Sequence, residues 1–302
     1  MGFVKSSIKQ ICTIPLSSEI LFRKICGARL FVFMFHDVSA EPSVFSTEYN
    51  LNVSPDNFSK QLGFINKYFR VIDAKQLLEL DSLEEPTALI TFDDGLKGYF
   101  ETALPILTQN NCPSLIFLNM EPVEGGVFWS GLVTYICDID PDFRKWLEES
   151  FPQLVGVSFL TIGEELVWQF VNSRPVGREK YLEIVRDFHN GFANREMLEK
   201  AAGVPGVYFG SHLYNHFNAV QLSMENLKDS YVRNMNSLSR YKNVVPMFAY
   251  PFGQPGSCLN ANTHSILRDL GAKRLFDSVQ LFNSSPDNFL LHRVNMTNDI
   301  FD

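Results

Sequence analysis

TALITFDDGLKGYFETALPILTQNNCPSLIFLN, residues 87–119, decides how the chain is read. Thr87–Phe92 is an unbroken apolar run rich in β-formers, the pattern of a strand buried on both faces. Asp93-Asp94-Gly95 stops it. A helix is predicted over Tyr99–Gln109, followed by a second buried strand over Ser114–Asn119. A strand, a helix and a strand in this order make a parallel unit. The same rhythm extends upstream. Leu30–Phe35 (LFVFMF) reads as a buried strand ending at His36-Asp37. Ser54-Pro55-Asp56 opens a helix, with Ser54 as N-cap, Pro55 at the first helical position and Phe58, Leu62 and Ile65 at helical spacing. A short strand over Phe69–Ile72 and a short helix over Ala74–Leu80 follow.

Downstream the rhythm breaks. Residues 121–204 are rich in Trp, Phe and charge, with helical periodicity over Asp142–Glu149, Gly163–Asn172 and Arg178–Phe188. They read as a mostly helical insertion that starts at Phe128-Trp129-Ser130. The rhythm then resumes with a strand at Val207–Gly210, a helix over Ser223–Tyr241, a strand at Pro246–Tyr250, a helix over Ala261–Leu270 and short strands near Arg274 and Leu290–Val294. The expectation is one α/β domain over residues 1–302, a parallel sheet or barrel interrupted at 121–204.

Composition narrows the class. The chain has 302 residues, 45% hydrophobic and 20% charged, enough for a large core. Its formal net charge of −8 gives it no general attraction for phosphate backbones, so a nucleic-acid partner is not expected. Five cysteines, Cys12, Cys26, Cys112, Cys137 and Cys258, are odd in number and widely spaced, which argues against a disulfide framework or a structural zinc site. The first thirty residues lack the apolar core of a signal peptide, and the Met1-Gly2…Ser6 pattern is too common to weigh. No run approaches the roughly 20 apolar residues of a membrane span. A cytoplasmic protein is expected.

Three polar clusters sit directly after predicted strands: Asp93-Asp94, then Ser211–His216, then Pro251-Phe252-Gly253. In a parallel barrel all strand C-termini open on one face, so clusters remote in sequence can meet there. His212 and His216 are four apart and can present two imidazoles to one metal if the intervening turn is helical. With one carboxylate they form a His₂Asp set, three ligands with a position left for water, as in catalytic zinc and non-haem iron sites. Of the adjacent carboxylates, one can bind the metal while the other acts as a base. Alone, a DDG after a strand is also an ordinary turn or helix cap, and HxxxH is also an ordinary helix face. Their joint placement at strand ends is what points to chemistry.

These motifs resemble the NodB-homology polysaccharide deacetylases, metal-dependent hydrolases built on a distorted (β/α) barrel. The resemblance covers most of the chain. FMFHDVS, TFDDG, the SHLYNH segment, FAYPFGQ and LHRVNM follow one another in the family's order. It implies that Asp93 is the catalytic base, that Asp94, His212 and His216 hold one divalent ion, zinc or else Co, Ni or Fe, and that the backbone N–H of Phe252 helps to form an oxyanion hole. It implies removal of an N-acetyl group from an amino sugar during surface polysaccharide biosynthesis, and the cytoplasmic expectation points to a sugar nucleotide or lipid-linked saccharide as the form acted on. Deformylation or other amide hydrolysis on the same scaffold is the alternative chemistry, and a non-catalytic carbohydrate-binding relative the alternative class.

The sequence departs from the pattern in three places. Ala249 stands where many members carry the Arg that orients the base, and Arg293 is expected to take that role. The leaving amine needs a proton from a group such as His. His292 lies in the last motif, but it is adjacent to Arg293, and neighbours on a strand face opposite ways. His36, at the end of the first strand, is the rival. His189 and His264 lie in helical stretches and read as structural or surface residues. The third departure is the insertion, expected to act as a lid or a homo-oligomer interface, with Phe128 and Trp129 anchoring it or stacking on a sugar.

Overall fold

The computed structural model describes residues 19–156 and 163–300. Cys12 and the N-terminal stretch read above for a leader lie outside the described residues. Strands β1 (Leu30–Phe35), β4 (Arg70–Val71), β5 (Thr87–Phe92), β6 (Ser114–Leu118), β7 (Val207–Ser211), β8 (Val244–Ala249), β9 (Arg274–Phe276), β10 (Leu290–Leu291) and β11 (Val294–Asn295) form one sheet. Its order is β10-β9-β8-β7-β6-β5-β1-β11, with β4 paired to β5, and every named pair is parallel. β10 and β11 lie at opposite ends of that order, yet only His292 and Arg293 separate them in sequence. A two-residue step spans only about 10 Å, so the sheet must curl until its two edges nearly meet. The result is a distorted barrel.

Period-two alternation divides the apolar residues between two layers. Phe31, Phe33 and Phe35 of β1 and Ala88, Ile90 and Phe92 of β5 face the surrounding helices. Leu30, Val32, Leu89, Leu115, Phe117 and Met247 fill the barrel interior. Continued past the strand end, the inward row of β5 runs from Leu89 through Thr91 to Asp93. That alternation delivers Asp93 to the barrel mouth.

The helices follow their sequence signals. Ser54 caps the helix Pro55–Tyr68 by accepting from the Asn57 N–H, and Phe58, Leu62 and Ile65 are buried. The segment predicted as a helix over Tyr99–Gln109 starts instead as a π-turn, Tyr99–Ala103, before becoming α-helical at Leu104–Gln109. Pro105 explains this, because it has no N–H to offer the carbonyl of Glu101. Two short strands absent from the sequence reading, β2 (Asp37–Val38) and β3 (Asn52–Val53), pair in parallel and close off a loop holding the helix Val44–Glu48. The buried Asp37 carboxylate accepts from Ser46 Oγ at 2.8 Å and ties that loop down.

The described residues within 121–204 are mostly helical, but they do not act as one body. Leu132, Ile136, Phe143, Phe170, Tyr181 and Val185 form a core of their own. By contrast, Leu198 and Ala201 of the helix Arg195–Ala202 pack into the barrel's outer layer. That helix is the barrel's crossover from β6 to β7, so the separately packed part ends before it. Phe128 and Trp129 are 2% and 7% exposed. Phe128 packs on Phe192 at 4.4 Å and Trp129 on Phe217 at 4.5 Å, so both rings anchor and neither is open to a sugar. Among the described residues Cys26, Cys112, Cys137 and Cys258 are free, and no helix is long and apolar enough to cross a membrane.

Candidate metal centre and active site

The turn after β5 places the two aspartates differently. Asp94 adopts φ 73° and Gly95 φ 94°. A side chain at Gly95 would come within 2.9 Å of Leu118 Cδ2, so this turn has room only for glycine there. Asp93 keeps the strand direction and points inward, while the left-handed Asp94 swings its carboxylate towards β7. Both are buried, at 2% and 3% exposed.

His212 and His216 meet Asp94, but not on a helical turn as expected. Residues 212–216 form an irregular loop in which Leu213 and His216 are left-handed, φ 61° and 59°. Two buried asparagines that the sequence reading passed over hold this loop and the strand ends it springs from. Asn119 Nδ2 donates to the carbonyls of His212 and Leu213, the latter at 2.9 Å. Asn234 Nδ2 donates to Leu118 O and Ser211 Oγ, each at 2.8 Å, and its Oδ1 accepts from the Met120 N–H at 3.0 Å. The only signal for Asn119 was its position as the last residue of a buried strand. Asn234 sits mid-helix and gave none.

The ligand atoms of Asp94, His212 and His216 all lie within 4.8 Å of one another. Asp94 Oδ1 is 3.4 Å from His212 Nε2 and 3.2 Å from His216 Nε2. Tetrahedral ligands about 2.0–2.1 Å from a zinc ion stand about 3.3 Å apart. The electrostatics agree. His212 Nδ1 lies 2.8 Å from the Ala249 carbonyl, which can only accept, so Nδ1 carries a proton and the Nε2 edge of the ring is left facing the Asp94 carboxylate. Asp94 Oδ1 is buried without a hydrogen-bond partner. Burial would raise the Asp94 pKa, but His216 and His212 outweigh it and hold the carboxyl well below the usual range. Burial pushes the His216 ring down towards its neutral, ligating form. The residues present fit a divalent cation.

Arg293, from the step between β10 and β11, forks both oxygens of Asp93 at 2.6 and 2.7 Å. Its Nε donates to the Asp277 carbonyl at 2.7 Å, and the residue is 1% exposed. Burial opposes ionisation of Asp93, yet the guanidinium and His212 overcome it and lower the carboxyl pKa. The guanidinium thus arrives from across the barrel, while Ala249, where the motif would place an Arg, contributes its carbonyl to His212.

A cavity of about 280 Å³ opens above these groups. Its lining includes Asp93, Asp94, His212, His216, Arg293 and His36. His292 is not part of that lining. Its Nδ1 lies 2.8 Å from the buried Asp277 carboxylate, while Arg293 donates to the carbonyl of the same residue. Arg293 enters the cavity lining and His292 does not. His36 Nδ1 is buried with no hydrogen-bond partner. Phe252 reaches the cavity wall in a left-handed turn, φ 60°, with its ring edge-on to His216 at 4.8 Å. Left-handed bulky residues cost about 1–3 kcal/mol each and gather at functional sites. His189 is buried between Phe128 and Phe192 and is pushed down to about 4 by burial, a packed residue outside the site. His264 packs against Tyr250.

No family model matches the chain, and no curated protein matches it. Solved structures do. The Streptococcus pyogenes deacetylase PplD in complex with acetate aligns over 90% of this chain and 93% of its own, with a TM-score of 0.61 and 15% identity. IcaB from Ammonifex degensii aligns over 91% and 94%, with a TM-score of 0.59 and 17% identity. A de-N-acetylase from Aggregatibacter actinomycetemcomitans aligns over 90% and 96%, with a TM-score of 0.58 and 15% identity. At such identities the likeness is one of fold, and the fold is the distorted (β/α) barrel of the polysaccharide deacetylases.

Proposed function

We propose that this chain is a metal-dependent hydrolase that removes the N-acetyl group of an amino sugar, carried on a nucleotide or lipid, in the assembly of a surface polysaccharide. The observation that carries this reading is the buried convergence of Asp94, His212 and His216 beside an Arg-forked Asp93, on a fold shared with structures named as deacetylases. A divalent ion held by those three residues, zinc first, supplies Lewis acidity towards the amide carbonyl and its attacking water.

The chain's own residues do the rest. Asp93 is held ionised and aimed by Arg293, and takes a proton from the water that adds to the carbonyl carbon. The Phe252 peptide N–H is assigned to the carbonyl oxygen as its charge grows. The C–N bond then breaks, and the nitrogen needs a proton to leave as an amine. His36, which lines the cavity, is assigned as that donor. His292, engaged by Asp277 outside the cavity, is not. The products are acetate and the free amino sugar.

The test measures bound metal and acetate release together. Protein incubated with zinc, cobalt or nickel is expected to hold one ion per chain and to release acetate from an N-acetylated sugar nucleotide or oligosaccharide, and chelation should stop release. Saturating zinc with no ion at Asp94, His212 and His216, or a loaded protein inert towards the whole panel, would defeat the reading.

A further inference from the structure

We infer that the cavity is blind on one side and takes a single terminal amino-sugar unit rather than an internal unit of a polymer. This rests on the deacetylase reading above and specifies the substrate of the same site. The closed side is built by two segments with no part in the chemistry, the helix Val44–Glu48 with its flanks and the helix Trp129–Thr134 with the turn Tyr135–Ile139 that continues it.

Phe45, Tyr49 and Leu51 line that side from the first segment, and Ser130 and Thr134 from the second. Behind them stands a packed aromatic cluster. The Phe45 ring meets Phe128 at 5.8 Å and Phe188 at 5.7 Å. Phe128 continues to His216 at 5.2 Å, so the packing is unbroken from a metal-ligating ring to the cavity's far wall. Phe45, Phe128, Phe188 and Phe192 are all buried and share one core cluster. At the rim, Tyr49 Oη donates to the Asp138 carboxylate and joins the two segments. A chain continuing past the reacting sugar on this side would have to cross that wall.

The opposite side differs in chemistry. Gln254, Ser278, Gln280 and Asn295 line it, and all four are half-buried. Amides and hydroxyls at an open edge suit the remainder of a glycoconjugate, whether the next sugar or a phosphate-linked carrier. The volume agrees, since about 280 Å³ falls just under the roughly 300–1,000 Å³ of clefts for drug-sized ligands and suits about one sugar ring. Ser130 and Thr134 are 6% and 2% exposed, so any sugar hydroxyl at the closed end meets hydroxyls fixed by the wall itself.

The test uses N-acetylglucosamine oligomers of one to four units and two tetramers, one N-acetylated only at an end and the other only at internal units. Binding to the zinc-loaded Asp93→Asn protein is measured by calorimetry, and the positions deacetylated by the wild-type enzyme are mapped by mass spectrometry. Affinity is expected to level off within about twofold beyond two units. The internally acetylated tetramer is expected to bind at least about tenfold more weakly than the end-acetylated one, and acetyl groups should be lost only at an end. Affinity that climbs with every unit, equal binding of the two tetramers, loss of internal acetyl groups, or no binding of any oligomer would overturn the inference. If end-selective binding is found but the wild-type enzyme releases no acetate, the hydrolase reading fails and the blind cavity stands.

Discussion

At the residue scale, adjacent side chains are made to do unlike things by backbone direction alone. Asp93 continues its strand and meets a guanidinium, whereas Asp94 turns left-handed and meets two imidazoles. Asp93→Asn is therefore expected to keep zinc affinity near that of the wild type and to lower kcat at least about a hundredfold, the low end for acid–base catalysis. Asp94→Asn should weaken both. Zinc titration beside acetate release separates the two, and identical titrations would refute the division of roles. His292 and Arg293 diverge in the same way. The hydrogen bond to Asp277 raises the His292 pKa against an opposing effect of burial. A raised folded pKa stabilises below the unfolded value, about 6.5, and the benefit fades as pH rises through the folded value. The melting temperature of His292→Gln should thus trail the wild type most at about pH 5 and least at about pH 9, well above that ordinary value. A gap that widens with pH would show the ring to be buried neutral. Acetate release by the same variant should remain, since His292 stands outside the cavity.

At the scale of elements, the decisive features are loops at strand ends and the buried amides that hold them. Asn234 reaches from the helix Met224–Leu238 to β6, β7 and Met120, two residues beyond β6, with three hydrogen bonds. Asn234→Ala leaves those groups unpaired in a fully buried place. We expect a loss of about 2–4 kcal/mol in urea unfolding, given about 1–3 kcal/mol for each unsatisfied group and partial relaxation. The loop carrying both histidines starts at Ser211, so zinc affinity should also fall about tenfold, the lower figure for outer-shell changes at metal sites. Unchanged affinity in a destabilised protein would make Asn234 a packing residue only.

At the scale of the molecule, the interruption between β6 and β7 is two structures in one stretch. The helices between Tyr135 and Asp187 carry most of their own core, whereas Leu198 and Ala201 belong to the barrel. The Tyr135 and Phe188 rings lie 5.4 Å apart, so a short glycine linker can join the ends if the residues between them are removed. That excision is expected to leave a folded protein that binds zinc, because the barrel's core and the Phe128 anchor remain. Removing all of 124–203 instead takes away the crossover helix and should give an unfolded chain. Circular dichroism and metal content read both outcomes, and a folded product of the larger excision would contradict the assignment of the last helix to the barrel.

Local signals were enough for the strands, most helix starts and the polar clusters. A buried strand writes itself as an apolar run, and a cap such as Ser54-Pro55 acts on its own first turn, so nothing distant is needed to read either. The parallel rhythm then implied one face where Asp93, Asp94, His212 and His216 could meet. What the sequence did not carry is how a chain segment turns in space. It suggested a helical turn between the histidines, but contacts from Asn119 hold a left-handed loop there. It left His292 and His36 as rivals, because the direction of a side chain beyond a strand end depends on how the sheet curls to bring its edges together. It treated 121–204 as one insertion, because helical periodicity reports that a face is buried and not which core buries it. Arg293 and Asp93 are two hundred residues apart, and only closure of the barrel sets a guanidinium on that carboxylate.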